Sequence, residues 1–96
     1  MLIKNEERHN AGSFYLDDNG QRKGEMRYLV KGAEMNIYHT EVSLELSGQN
    51  WGFKLVEAGV KYARENELKI LPTCAFARSV FLRTADFRDV LVDDFE

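Results

Sequence analysis

The sequence predicts a small α/β (α+β) domain in which an antiparallel β-meander is followed by a β-α-β crossover and C-terminal helices. Three observations lead there. Two hairpin signals fall in the first half, an amphipathic helical stretch opens the second, and a short apolar run ended by Pro72 comes after that helix. Strand, helix, strand in that order implies a parallel right-handed crossover joined to the meander.

The meander reads in order. From Ser13 to Asp17 the residues alternate, with Phe14 and Leu16 on one face. Asp18-Asn19-Gly20 follows, and Asn-Gly favours a tight hairpin because both residues tolerate positive φ. Gln21 to Lys31 places Met26, Tyr28 and Val30 on one face and Arg27 and Leu29 on the other. Lys31-Gly32 marks a second turn. Beyond it Met35 and Ile37 share a face of a strand running to about Val42. Leu2 to Arg8 is read as an added edge strand, and the chain divides near Ser47 into a strand half and a helix half.

The second half is helical by spacing. Leu55, Val56, Gly59, Tyr62 and Ala63 fall on one side, with Lys54, Glu57, Lys61, Arg64 and Glu65 on the other. Glu57 with Lys61 and Lys61 with Glu65 are i,i+4 pairs of ~0.2–0.5 kcal/mol each. Asn66 is suited to the left-handed conformation that closes a helix. Leu68 to Leu71 is a short buried strand. Thr73 is the expected cap of a second helix whose inward stripe is Phe76, Ala77, Val80 and Phe81, and Asp86 the cap of a last turn or two through Val90 and Leu91.

Composition narrows the function classes. Ninety-six residues make one domain, 1–96, and a content of 44% hydrophobic residues places it among globular rather than disordered chains. No apolar run approaches the ~20 residues of a membrane span. The first residues, MLIKNEERHN, turn charged after three residues, so no secretory segment is expected there. The single cysteine rules out an internal disulfide and suits a reducing cytoplasm. A net charge of −3 gives no basic footprint for nucleic acid. Neither a metal-ligand spacing of Cys and His nor a Ser/His/Asp arrangement is legible, so no metal is expected. The charged helix face points to a monomer or weak dimer, and the acidic tail Asp93-Asp94-Phe95-Glu96 to a solvated end.

The loop Ser47-Gly48-Gln49-Asn50-Trp51-Gly52 carries the most informative chemistry. It joins a strand to a helix start, where unpaired N–H groups and the positive end of the helix dipole make a phosphate cradle. Glycine permits close backbone approach there, and asparagine tolerates positive φ. On spacing alone an ordinary strand-to-helix turn explains the same residues. Neither G-x-G-x-x-G nor G-x-x-x-x-G-K-[ST] is present.

The stretch HTEVSLELSGQNWGFKLVEAGVKYARENELKILPTCAF, His39 to Phe76, resembles the short YjdJ-type branch of the GNAT N-acetyltransferase superfamily. The preceding meander and the tail FLRTADFRDVL agree more loosely. The resemblance implies a minimal GNAT fold, with acetyl-coenzyme A in a cleft between two splayed parallel strands. It implies that Gly48, Gln49, Asn50, Trp51 and Gly52 bind the cofactor, with pantetheine near Glu41 and Val42. Ser47 stands where the superfamily commonly has arginine, Asn50 where it has a middle glycine, and Gly52 matches its last small residue. Trp51 is read either as stacking on the cofactor or as shielding the core.

Two residues within the resemblance are candidate catalytic groups, His39 in H-T-x-V and Cys74 in P-x-C-x-F. Imidazole, with an ordinary pKa of ~6.5, suits removal of a proton from an attacking amine. A thiol at a helix start is favoured as thiolate and suits an acyl carrier. The plainer alternatives are a structural histidine and a packing cysteine. Function therefore divides into two classes. One is an acetyltransferase moving acetyl from coenzyme A to an unidentified, protein-borne or extended amine. The other is a non-catalytic acyl-CoA-binding or interaction module.

Overall fold

The computed structural model describes residues 1–93 and 95; the tail residues Asp94 and Glu96 lie outside them. Five strands form one sheet in sequential order: β1 (Leu2–Arg8), β2 (Ala11–Asp18), β3 (Gln21–Lys31), β4 (Glu34–Val42) and β5 (Lys69–Pro72). β1 to β4 are antiparallel, and β5 runs parallel to β4. Helix α1 (Trp51–Glu65) makes the crossover between β4 and β5, and α2 (Ala75–Arg83) follows β5. Short 3₁₀ segments span Leu44–Leu46 and Ala85–Val90. The mixed α+β architecture agrees with the reading of the sequence.

Local chemistry explains the turns. Asn19 and Gly20 both take positive φ, 51° and 91°, as a tight hairpin with the twist of its strands requires. Gly20 N–H also donates to Asp17 Oδ1 at 3.1 Å. The end of α1 differs from expectation. Asn66 has φ −109° and bonds Tyr62 O through its side chain, while the left-handed residue is Glu67 at φ 54°. The entry to α2 differs too. Thr73 donates its hydroxyl to Asn36 Oδ1 at 2.8 Å, so the cap passes to Cys74, whose Sγ accepts Ala77 N–H at 3.3 Å. Asp86 sits in the first turn of the last 3₁₀ segment, but the cap position is Thr84.

The described helices pack on one face of the sheet. Met26, Tyr28, Met35, Ile37 and Ile70 meet Leu55, Val56, Val60, Ala63, Val80 and Phe81 in one buried cluster. At Gly59 a Cβ would fall 2.7 Å from Met26 Cε, so a residue without a side chain lets α1 lie close on the strands. Tyr28, fully buried, receives Asn5 Nδ2 at 3.0 Å and donates to Glu7 Oε1 at 2.9 Å; Tyr62 donates to the same carboxylate. These bonds fasten the edge strand β1 to the core. The opposite face carries paired charges. Arg22 lies 3.7 Å over the Tyr15 ring and bonds Glu6 at 2.7 Å, and Arg27 meets Glu25 at 2.8 Å.

Candidate active site

The site begins with a strand that loses its partner. β4 pairs with β5 only from Glu34 to Ile37, whose partner is Pro72; from Tyr38 to Val42 the side of β4 turned away from β3 has no strand partner among the described residues. At the same point β4 is irregular. Arg27 pairs with His39 and Tyr28 with Ile37, which leaves Tyr38 as an extra residue. Such a bulge bends a strand and re-aims the side chains beyond it. Ile37 O closes the gap below, accepting Thr73 N–H at 2.9 Å and Cys74 N–H at 3.2 Å.

Above the parting lies a cleft of ≈ 390 Å³, walled by Thr40 and Val42 of β4, by the loop before α1 and by Phe76 of α2. The loop is shaped by two positive φ angles, 79° at Gly48 and 67° at Asn50. Asn50 is the N-cap residue of α1, yet its side chain makes no cap bond. The first-turn N–H groups of Trp51, Gly52 and Phe53 have no helical partner either, by the geometry of a helix start. Beside Gly48 the structure is open, since a Cβ there would meet nothing within 4 Å, so positive φ and not crowding is what favours glycine. Gly52 serves a different contact, since a Cβ there would fall 2.7 Å from Phe76 Cζ. Phe76, expected to point inward, is 38% exposed and lies over the start of α1.

The bulge sorts the candidate residues onto two faces. Cross-strand partners share a face, so Thr40, paired with buried Met26, faces the helices, and His39, paired with Arg27, faces away. Cys74 Sγ lies 3.2 Å from Thr40 Oγ1 on the helix side. His39 Nε2 lies 3.3 Å from Glu41 Oε1 on the open side. The structure therefore does not bring His39 and Cys74 together. Of the loop residues singled out by sequence, Val42, Gly48, Asn50, Trp51 and Gly52 line the cleft; Gln49 is exposed beside it, and the Glu41 side chain is on the other face. Thr40, Phe76 and Arg83 line the cleft without having been anticipated. Thr40 was visible within H-T-x-V, whereas an arginine in the last turn of a helix carries no local signal. Among the described residues no group of three or more His, Cys, Asp or Glu is placed to hold a metal ion.

Residues 13–90 match the family model of the GCN5-related N-acetyl-transferases. The chain belongs to this family. Among solved structures, it resembles a GCN5-like candidate N-acetyltransferase from Staphylococcus aureus at 39% identity and a TM-score of 0.70, covering 95% of this chain and 87% of that one. It also resembles the ribosomal-protein-S18-alanine N-acetyltransferase of Escherichia coli (16% identity, TM-score 0.67, covering 79% of this chain and 52% of that one). A third likeness is to an aminoglycoside acetyltransferase from an uncultured soil metagenomic sample (19%, 0.67, covering 76% and 58%). This GNAT chain thus spans just over half the length of the last two, and their likeness concerns the fold alone. No curated protein matches it in sequence. Among its described residues no helix is long and apolar enough to cross a membrane.

Proposed function

We propose that this GNAT chain binds acetyl-coenzyme A in the cleft beside β4 and transfers the acetyl group to a primary amine arriving from the open face of the sheet. The observation that carries the proposal is the parting of β4 from β5 next to an uncapped helix start. The motifs around His39 and Cys74 support placing it in the short YjdJ-type branch.

The residues present fit the cofactor. N–H groups of Trp51, Gly52 and Phe53 suit a diphosphate, the unpaired edge Tyr38–Val42 offers backbone donors and acceptors to an extended amide chain, and Val42 and Trp51 offer apolar wall. When bound, the cofactor supplies an acetyl group activated as a thioester. The protein's own chemistry is then proton handling. With Nε2–H directed at Glu41 Oε1, His39 keeps a lone pair on Nδ1 for the proton released by the amine. Glu41 acts through His39, fixing its tautomer. The acceptor side is unenclosed by any described element, which favours an amine on an extended or protein-borne substrate over a small metabolite. Cys74 is one contact removed, because Thr40 lines the cleft and Cys74 touches Thr40. Direct transfer is therefore preferred to an acyl-cysteine route.

Calorimetric titration with acetyl-coenzyme A, followed by coenzyme A release with peptides bearing lysine or a free N-terminus, tests the proposal. The expected result is binding, amine-dependent release, and a loss of about 10²-fold in kcat for His39→Asn with cofactor affinity unchanged. Binding without release from any amine would make the chain an acyl-CoA-binding module, and absence of binding would end the proposal.

A further inference from the structure

We infer that Arg83, at the end of α2, is the cation that pairs with the diphosphate of the ligand in the cleft. The inference rests on the acyl-CoA reading above and adds a residue to it. A diphosphate carries two negative charges, yet the loop from Ser47 to Gly52 contains no lysine or arginine. The nearest cation in sequence, Lys54, is engaged, with Nζ 4.3 Å over the Trp51 ring. Arg83 lines the same cavity as Gly48 and Gly52, brought there from a different element. It lies seven residues after Phe76, which puts both on one side of α2, facing the loop.

Other arginines are engaged elsewhere. Arg22, Arg27 and Arg64 hold carboxylates, and Arg88 donates to the backbone carbonyls of Phe81 and Leu82 at 3.4 and 2.8 Å. Arg88 thereby satisfies the carbonyl end of α2, a task that a last-turn arginine such as Arg83 would otherwise perform. Arg83 itself makes no hydrogen bond or ion pair among the described residues. Guanidinium suits the role because its planar fork bonds two phosphate oxygens at once.

The test measures binding of coenzyme A, dephospho-coenzyme A and pantetheine to wild type, Arg83→Gln and Arg83→Lys. Arg83→Gln should weaken coenzyme A and dephospho-coenzyme A equally, by about tenfold, and leave pantetheine unchanged. Arg83→Lys should recover part of the loss, and the wild-type affinity should fall more steeply with salt than that of Arg83→Gln. Equal affinity of wild type and Arg83→Gln for coenzyme A overturns the inference. A loss confined to coenzyme A moves the contact to the 3′-phosphate and overturns the diphosphate assignment. An equal loss for pantetheine shows that Arg83 acts by shaping the cleft. The wild-type titration alone isolates the acyl-CoA reading: if wild type binds none of the three ligands, both fall, whereas binding indifferent to Arg83 leaves that reading intact.

Discussion

A methyl group added at Gly12 and one added at Gly52 would make clashes of nearly equal length, and the atoms they strike predict different outcomes. At Gly12 the new carbon would lie 2.6 Å from both Cζ and Oη of Tyr28 and 2.7 Å from the backbone oxygen of Glu6. At Gly52 it would lie 2.7 and 2.9 Å from Cζ and Cε2 of Phe76. Both are about 1 Å inside ordinary carbon contact. Tyr28 is fully buried and hydrogen-bonded to Asn5 and Glu7, and Glu6 O belongs to a paired strand, so neither obstacle can yield. Overpacking of this kind costs about 1–3 kcal/mol, and two fixed obstacles put Gly12→Ala near the upper end. At about 4–8 °C per kcal/mol for a domain of this size, the melting temperature falls by roughly 12–24 °C.

Phe76 at the cleft rim can swing aside. Replacing a helical glycine by alanine gains up to about 1 kcal/mol, which offsets the lost ring contact, so Gly52→Ala should melt within about 5 °C of wild type. The displaced ring moves within the cleft, and coenzyme A affinity should drop while the fold survives. Thermal unfolding followed by circular dichroism, with coenzyme A titrations of Gly52→Ala and the Gly52→Ala/Phe76→Ala double variant, decides the matter. If Gly52→Ala melts as low as Gly12→Ala, Phe76 is a locked core residue and the reasoning fails. It fails equally if Gly12→Ala melts with wild type.

Cys74→Ser should keep the N-cap of α2 and retain acetyl transfer, whereas Cys74→Ala should lose about 1 kcal/mol of stability by removing the acceptor of Ala77 N–H; loss of transfer in Cys74→Ser with intact coenzyme A binding would instead make the thiol the acyl carrier. Burial raises the Tyr28 phenol above its ordinary value. Its contribution to stability is therefore complete below about pH 10 and is lost as pH rises toward the folded-state value. Urea unfolding across an alkaline series should show wild type losing stability above about pH 10 and Tyr28→Phe losing less, since Tyr62 is raised by burial as well; parallel curves would remove Tyr28 from the explanation.

Much of the fold was legible because local chemistry and packing agree. Asn19-Gly20 can form only a narrow set of turns, and the stripe from Leu55 to Ala63 leaves α1 one face to bury. Tyr38 shows where legibility stops. Strict alternation from Met35 and Ile37 would aim His39 and Glu41 at the helices, and the bulge reverses them. Nothing local announces it, since His39 and Thr40 are both polar and either can face a cleft. Cys74 displaced Thr73 as cap for a comparable reason: the hydroxyl of Thr73 found a partner in Asn36, 37 residues earlier in the chain. Phe76 reads as core by residue type, and only its neighbour Gly52, too small to repel it, allows the ring to sit at a rim.

The same extra residue organises the proposed chemistry. Beyond Tyr38 the strand turns Thr40 and Val42 toward the loop of α1 and turns His39 and Glu41 toward the open face. Where β5 leaves, no neighbouring strand among the described residues separates these two sides at the edge of β4. In the proposed reaction the thioester approaches from the loop side and the amine from the open side, so the two reactants meet at an edge rather than compete for one pocket. That arrangement accounts for a base on the opposite face of the sheet from Cys74, and it ties the acceptor to the charged face. Deleting Tyr38 would join Ile37 directly to His39 and leave His39 opposite Arg27 on the open face, so it would remove the bend of the strand and keep the facing of the imidazole. Acetyl transfer by the Tyr38-deleted chain at near wild-type rate would show that the facing of His39 serves the proposed chemistry, and its loss with intact coenzyme A binding would show that the bend itself is needed.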